Sequence, residues 1–120
     1  NVIFLSGTIS GMEFENSTPV AYLTLQVQNS SNVDIELNSM AGNVFANGIR
    51  IGNVSNFTPV RLYRNSEILL PVKVQFDLIG LANDIIRAWQ GGVFRQTVSI
   101  EGFVNAGSVQ VPISLVFKVS

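Results

Sequence analysis

The stretch VAYLTLQVQ, Val20 to Gln28, decides how this chain folds. Leu23, Leu25 and Val27 alternate there with Tyr22, Thr24, Gln26 and Gln28. Successive side chains of a strand point to opposite faces, so this segment is a half-buried strand with one dry face and one wet face. The same period recurs along the chain. VDIELN sets Val33, Ile35 and Leu37 against Asp34, Glu36 and Asn38. PVKVQFDL sets Val72, Val74, Phe76 and Leu78 against Lys73, Gln75 and Asp77. VQVPISLVFKV sets Val109, Val111, Ile113, Leu115, Phe117 and Val119 against mostly polar neighbours. A slip of one residue would expose every apolar side chain of such a strand, so the register is firmly specified.

Turn signals separate these runs. They lie at Asn16 to Pro19, at Asn29 to Asn32 (NSSN), at Tyr63 to Glu67 (YRNSE) and at Asn105 to Ser108 (NAGS). Asn47-Gly48 is the strongest, because a type I′ hairpin needs positive φ at both centres. Pro112 places the last strand at a sheet edge or at a bulge, and Pro71 is read as opening its strand. One segment breaks the pattern. LIGLANDIIRAWQGG puts Leu81, Ala82, Ile85, Ile86 and Trp89 at helical spacing, with Gly91 as a stop, which predicts a short helix over about residues 79–90. Seven or eight short strands, regular turns and this one connecting helix predict an all-β fold in a single domain spanning residues 1–120. The architecture is an antiparallel β-sandwich of immunoglobulin or fibronectin-III type. Its expected core contains Leu23, Leu25, Ile35, Val74, Phe76, Trp89, Ile100, Ile113, Leu115 and Phe117.

Composition limits the chemistry. Of 120 residues, 12% are charged, about half the roughly 25% typical of soluble domains. The net charge is −1, and the Lys and Arg residues are scattered singly. No basic face exists to grip nucleic acid, so none is expected as a partner. Weak surface charge leaves little repulsion between copies and permits self-association or incorporation into an assembly. The chain has no Cys and no His, which removes disulfides, thiolate or imidazole zinc sites and His-based catalytic triads. No run of 18 apolar residues is present to span a membrane as a helix. The sequence opens on Asn1 in a β-rich run, which predicts a longer chain with a segment ahead of Asn1, able to act as a membrane tether.

The order of elements is more specific than any one of them. LQVQNSSNVDIEL (Leu25–Leu37) leads to GNVFANGIRIG (Gly42–Gly52), then RNSE (Arg64–Glu67), ILLPVKVQFDL (Ile68–Leu78), a short apolar helix and VSIEGFVNAGSVQVPISLVF (Val98–Phe117). Over nearly its whole length the chain resembles the group-2 late embryogenesis abundant (LEA14-like) family, also known for water stress and the hypersensitive response. It departs from that family where Asn29-Ser30-Ser31-Asn32 replaces an Asn-Pro, and where Val44-Phe45-Ala46 precedes the Asn-Gly. The resemblance implies a fibronectin-like sandwich, non-catalytic and stress-protective, often held at a membrane by an N-terminal anchor. It supplies no catalytic residues.

Candidate sites are few. Asp34 and Glu36 stand two apart, as do Glu13 and Glu15, but no third ligand lies nearby, so both pairs are read as solvated wet-face residues with no metal site. Gly7-Thr8-Ile9-Ser10-Gly11 lacks the Lys and the helix of a phosphate loop and reads as a bulge or bend. The sequons at Asn16, Asn29, Asn53 and Asn56 fall in expected turns and read as turn chemistry. NFTPVRLYRN gathers Phe57, Arg61, Tyr63 and Arg64, an aromatic-plus-Arg composition common at protein interfaces. With Asn47 and Gly48 in the hairpin expected beside them, these are the candidate partner-contact residues. Three functions compete. One is a non-catalytic LEA14-like module with protein partners, no cofactor and no small-molecule substrate. The second is a structural subunit of a virus particle, cell envelope or fibre. The third, an enzyme, requires Asp34, Glu36, Asp77 and Glu101 to converge in one pocket.

Overall fold

Among the described residues nine strands carry the alternating segments: β1 (Val2–Ile9), β2 (Glu13–Glu15), β3 (Thr18–Asn29), β4 (Ile35–Ala46), β5 (Ile49–Val54), β6 (Val60–Leu62), β7 (Ser66–Phe76), β8 (Thr97–Ala106) and β9 (Val109–Lys118). The computed structural model describes residues 2–46, 48–54, 58–77, 87 and 97–118. The expected helix over about 79–90, with Trp89, lies outside the described residues but for Arg87. Asn47, Asn56, Phe57 and the side chain of Phe117 also lie outside them.

Neighbouring strands pair in the order β1-β3-β7-β5-β4-β8-β9, with β2 added to β3 and β6 to β4. Every pairing is antiparallel. One layer is β1-β3-β7 and the other β4-β8-β9, the all-β immunoglobulin-like arrangement. β5 belongs to both. It pairs with β4 from Gly42↔Val54 to Ala46↔Ile49, and with β7 at Gly52↔Phe76, Asn53↔Gln75 and Val54↔Val74. On the other side β1 and β9 lie side by side without a ladder. The result is a nearly closed barrel with extents of 47 × 24 × 23 Å.

The interior is filled as the period predicts. Leu23, Leu25, Val74, Phe76, Ile100 and Ile113 are buried, and Ile35 and Leu115 are half-buried against them. Each fully buried Leu or Ile contributes roughly 1.5–3 kcal/mol. Two expectations fail at strand ends. Val33 is 60% exposed and precedes β4, and Val109 is 61% exposed at the tip of the last hairpin. Both continue the apolar alternation past the point where a facing layer exists to cover it. Pro71 does not open its strand; it lies inside β7 opposite Thr24. β5 pairs with β7 only at Val74 to Phe76, so the flank of β7 turned away from β3 has no ladder at Pro71, and the missing N–H costs nothing there.

The turns follow the chemistry of their residues. Asn16 and Ser17, with φ of 50° and 69°, form the two-residue turn between β2 and β3. Gly48 takes φ of 77° between the closing pair Ala46↔Ile49. Gly107, at φ 61°, turns β8 into β9. The Gly7 region is a bulge, where the β1–β3 register shifts between Leu5 and Thr8, as its composition suggested.

The shared strand rests on Gly52. A Cβ there would stand 2.2 Å from the Gln75 backbone oxygen, so β5 could not approach β7 closely enough to pair. Gly52→Ala is expected to destabilise the domain by about 1–3 kcal/mol, read from urea unfolding. A loss within about 0.5 kcal/mol, the range of ordinary surface changes, would show that the two layers do not depend on this contact.

Candidate functional site

Three connections meet at one end of the barrel: the β3–β4 loop, the β6–β7 turn and the β8–β9 hairpin. The registers Val2↔Asn29, Asn29↔Ser66, Ile35↔Leu62 and Ala106↔Val109 place them together. The β3–β4 loop and the β8–β9 hairpin border an open groove of about 810 Å³ lined by residues that include Val33, Asp34, Glu36, Ser108 and Val109.

Asn29 organises this end. It continues the inward parity of Leu23, Leu25 and Val27, and its side chain is fully buried. Its Nδ2 donates to the Val33 oxygen at 2.9 Å and to the Leu62 oxygen at 3.1 Å. Its Oδ1 accepts from the Ser31 N–H at 3.0 Å and from Ser31 Oγ at 2.6 Å. An amide side chain has two donor hydrogens and two acceptor lone pairs, and all four are used. The Ser31 N–H contact is the local bond expected of a turn Asn, but Asn29 is a strand residue with no exposed face. Asn53 likewise lies within β5 rather than in a turn, opposite Asn43 and Gln75. Asn16 alone of the sequons at described residues is an exposed turn residue.

Asp34 is the electrostatic counterpart of Asn29. Its Oδ1 accepts from the Arg64 N–H at 2.9 Å and lies 3.3 Å from Arg64 Nε, and Oδ2 lies 3.6 Å from Arg61 Nη2. The Arg64 backbone and side-chain hydrogen bonds, with the charge of Arg61, hold the Asp34 carboxyl below its usual range. Around this pair Val33, Tyr63 and Val109 stand 60% or more exposed. The hairpin is tied down by the Gly107 N–H, which donates to the Glu36 oxygen at 2.8 Å.

Other charges are satisfied elsewhere. Glu15 Oε1 lies 2.6 Å from Lys73 Nζ, and its second oxygen accepts from the Tyr22 hydroxyl. That cluster lowers the Glu15 carboxyl and raises Lys73 and Tyr22, whose hydrogen bonds favour the charged acid. Asp77 pairs with Arg50 at the far end. The four acids needed for an enzyme do not converge: Asp34 and Glu36 line the loop-end groove, Asp77 sits at the other end, and Glu101 lies on the outer face of β8. Among the described residues no group of three acids could hold a metal ion.

The candidate contact residues are also divided. Arg61, Tyr63 and Arg64 belong to the loop end. Gly48 lies at the opposite end, because β4 runs its full length from Ile35, opposite Leu62, to Ala46 at that hairpin. Twelve residues of strand separate them by roughly 35–40 Å, so the Asn47-Gly48 hairpin is not beside the Arg-rich turn.

The chain shares its fold with a protein from Archaeoglobus fulgidus. That crystal structure is similar over 97% of this chain and 94% of its own, with a TM-score of 0.66 and 14% sequence identity. A FixG-related protein from Vibrio parahaemolyticus aligns over 98% of this chain and 92% of its own at a TM-score of 0.49 and 13% identity, too loosely to carry an argument. No family model matches this chain, and no curated protein does. At such identities the first likeness shows the fold alone.

Two outcomes test the loop end. Asn29→Ala is expected to cost about 2–4 kcal/mol, since it leaves the Leu62 carbonyl and the Ser31 N–H without their partner and the Val33 carbonyl with only Ser31 Oγ; calorimetry checks this, and a loss below about 1 kcal/mol would refute the hub. Asp34 has a depressed folded-state pKa. Its stabilisation is therefore fully present above the unfolded carboxyl value of about 4 and disappears as pH falls through the folded value. Glu15 acts on the same acid limb, so the comparison must be with Asp34→Asn. The stability difference between the two proteins should shrink steadily on acidification; a difference independent of pH would remove Asp34 from the account.

Proposed function

We propose that this domain is a non-catalytic interaction module of the LEA14-like kind, which meets a protein partner with its loop end. The observation that carries the reading is the placement of three exposed apolar side chains, Val33, Tyr63 and Val109, on connections fixed by Asn29, by Asp34 and by the Gly107–Glu36 backbone bond. A rigid platform bearing apolar and aromatic side chains loses little conformational freedom on binding. Aromatic and Arg residues are those that concentrate binding energy, and Tyr63 stands between Arg61 and Arg64. By analogy of fold, a layer crossing such as β3–β4 and a hairpin such as β8–β9 also lie at the recognition end of antibody variable domains.

The dispersed acids favour a non-catalytic role, and the internally paired arginines favour protein over nucleic acid. Among the described residues no helix is long and apolar enough to cross a membrane; a membrane tether ahead of Asn1 belongs to the LEA14-like reading. A second reading, a structural subunit of a particle, envelope or fibre, is favoured by large apolar residues exposed on both layers: Leu69 on β7, and Phe103 and Val116 on β8 and β9.

The test is gentle isolation of the full-length chain from its source, with the masses of whatever accompanies it, beside the double variant Val33→Ser/Tyr63→Ser. A companion of fixed stoichiometry lost in the variant is the expected result. Recovery alone, or a companion the variant retains, would overturn a partner site at the loop end.

A further inference from the structure

The outer face of the β4-β8-β9 layer has a pattern that the loop-end reading does not use. Three rows cross it. Ala41, Phe103 and Pro112 form one, and Asn43, Glu101 and Ser114 the next. Phe45, Ser99 and Val116 form the third. The middle row is polar and the flanking rows carry the apolar groups, of which Phe103 is 48% and Val116 62% exposed. β5 continues the surface with Arg50, whose Nε donates to Asn43 Oδ1 at 2.9 Å.

On this face one charged group has no ion pair among the described residues and another uses only part of its donors. Among the described residues no cation pairs with Glu101. Arg50 gives Nε to Asn43 and Nη1 to Asp77, while its guanidinium has five N–H donors. Its side chain remains 42% exposed. Arg50 and Glu101 lie on either side of Asn43, in strands flanking β4. Both line the same shallow concavity with Phe103 and Pro112. The outer face of β1-β3-β7 differs, because Lys73 is met there by Glu15 and Glu67 by Gln26.

We propose that this face is the contact surface of a homodimer, with a two-fold axis passing close to Asn43. A two-fold contact uses one patch twice and must be self-complementary. Rotation about an axis at Asn43 exchanges the strands on either side of β4, bringing each Glu101 to the Arg50 of the second copy. With that axis in the plane of contact and along β4, each row is laid onto its own counterpart in the second copy. The apolar rows then cover one another and the exposed half of each guanidinium receives a carboxylate, a charge-assisted contact. The low net charge of −1 opposes the association little.

Sedimentation equilibrium over a range of protein concentrations, with circular dichroism melts as the control for folding, tests this. The wild-type chain should form a reversible dimer and nothing larger, weakened by salt. Glu101→Arg should raise the dissociation constant at least about tenfold by setting like charges against each other. Phe103→Ser should weaken the dimer with no change in its salt dependence. Glu101→Arg/Arg50→Glu should regain most of the lost affinity. Val33→Ser/Tyr63→Ser should leave the dimer intact, which separates this surface from the loop end. A wild-type monomer at every concentration, open-ended oligomers, or a Glu101→Arg variant that dimerises normally would each overturn the proposal.

Discussion

The architecture depends on one strand serving two layers. β5 takes hydrogen bonds from β4 on one flank and from β7 on the other, and the double pairing converges at Gly52. Backbone has to approach backbone there, with the Gln75 oxygen where a side chain would begin. Because the layers share this strand, their relative angle is set by ladder geometry and not only by the packing of loose side chains. The bulge between Val44 and Phe45 supplies the bend that lets β5 leave one layer and join the other. Interior side chains fill a space whose walls are fixed by these backbone contacts.

At the loop end the constraint is polar. Two crossings between the layers, β3 to β4 and β6 to β7, occur side by side, and a crossing carries backbone groups that no ladder satisfies. Asn29 answers three of them at once, from inside the barrel where water does not compete. Asp34 performs a similar service from the rim, where partial exposure makes its contribution sensitive to pH. Buried amide and rim carboxylate together hold a surface that would otherwise be ordinary loop.

Much of the fold was legible because burial on one side of a sheet writes a period of two into the sequence. β3, the start of β4, β7 and β9 follow from it directly, and the turn at Gly48 follows from the Asn-Gly pair. The shortfalls have particular causes. Three residues cannot display a period, so β2 and β6 were invisible, and the described residues form nine strands where seven or eight were expected. Alternation continues through Val33 and Val109 although nothing faces them. Asn29 was hidden by its own polarity; the signal that finds it is its parity with Leu23, Leu25 and Val27. The Asn47-Gly48 hairpin and the Arg64 turn are near in sequence, but the chain traverses the barrel between them, and proximity in sequence misled.

The unladdered seam between β1 and β9 has a mechanical consequence. Six antiparallel steps separate these strands along the sheet, so they run parallel, and Val2 and Lys118 lie toward opposite ends of the barrel. Tension applied between those residues runs along the strands. It loads the β1–β3 and β8–β9 hydrogen bonds in shear, many at once, instead of peeling them apart one after another. With no ladder across the seam among the described residues, those two ladders bear the load, and the Gly7 bulge marks where the β1–β3 ladder would yield first.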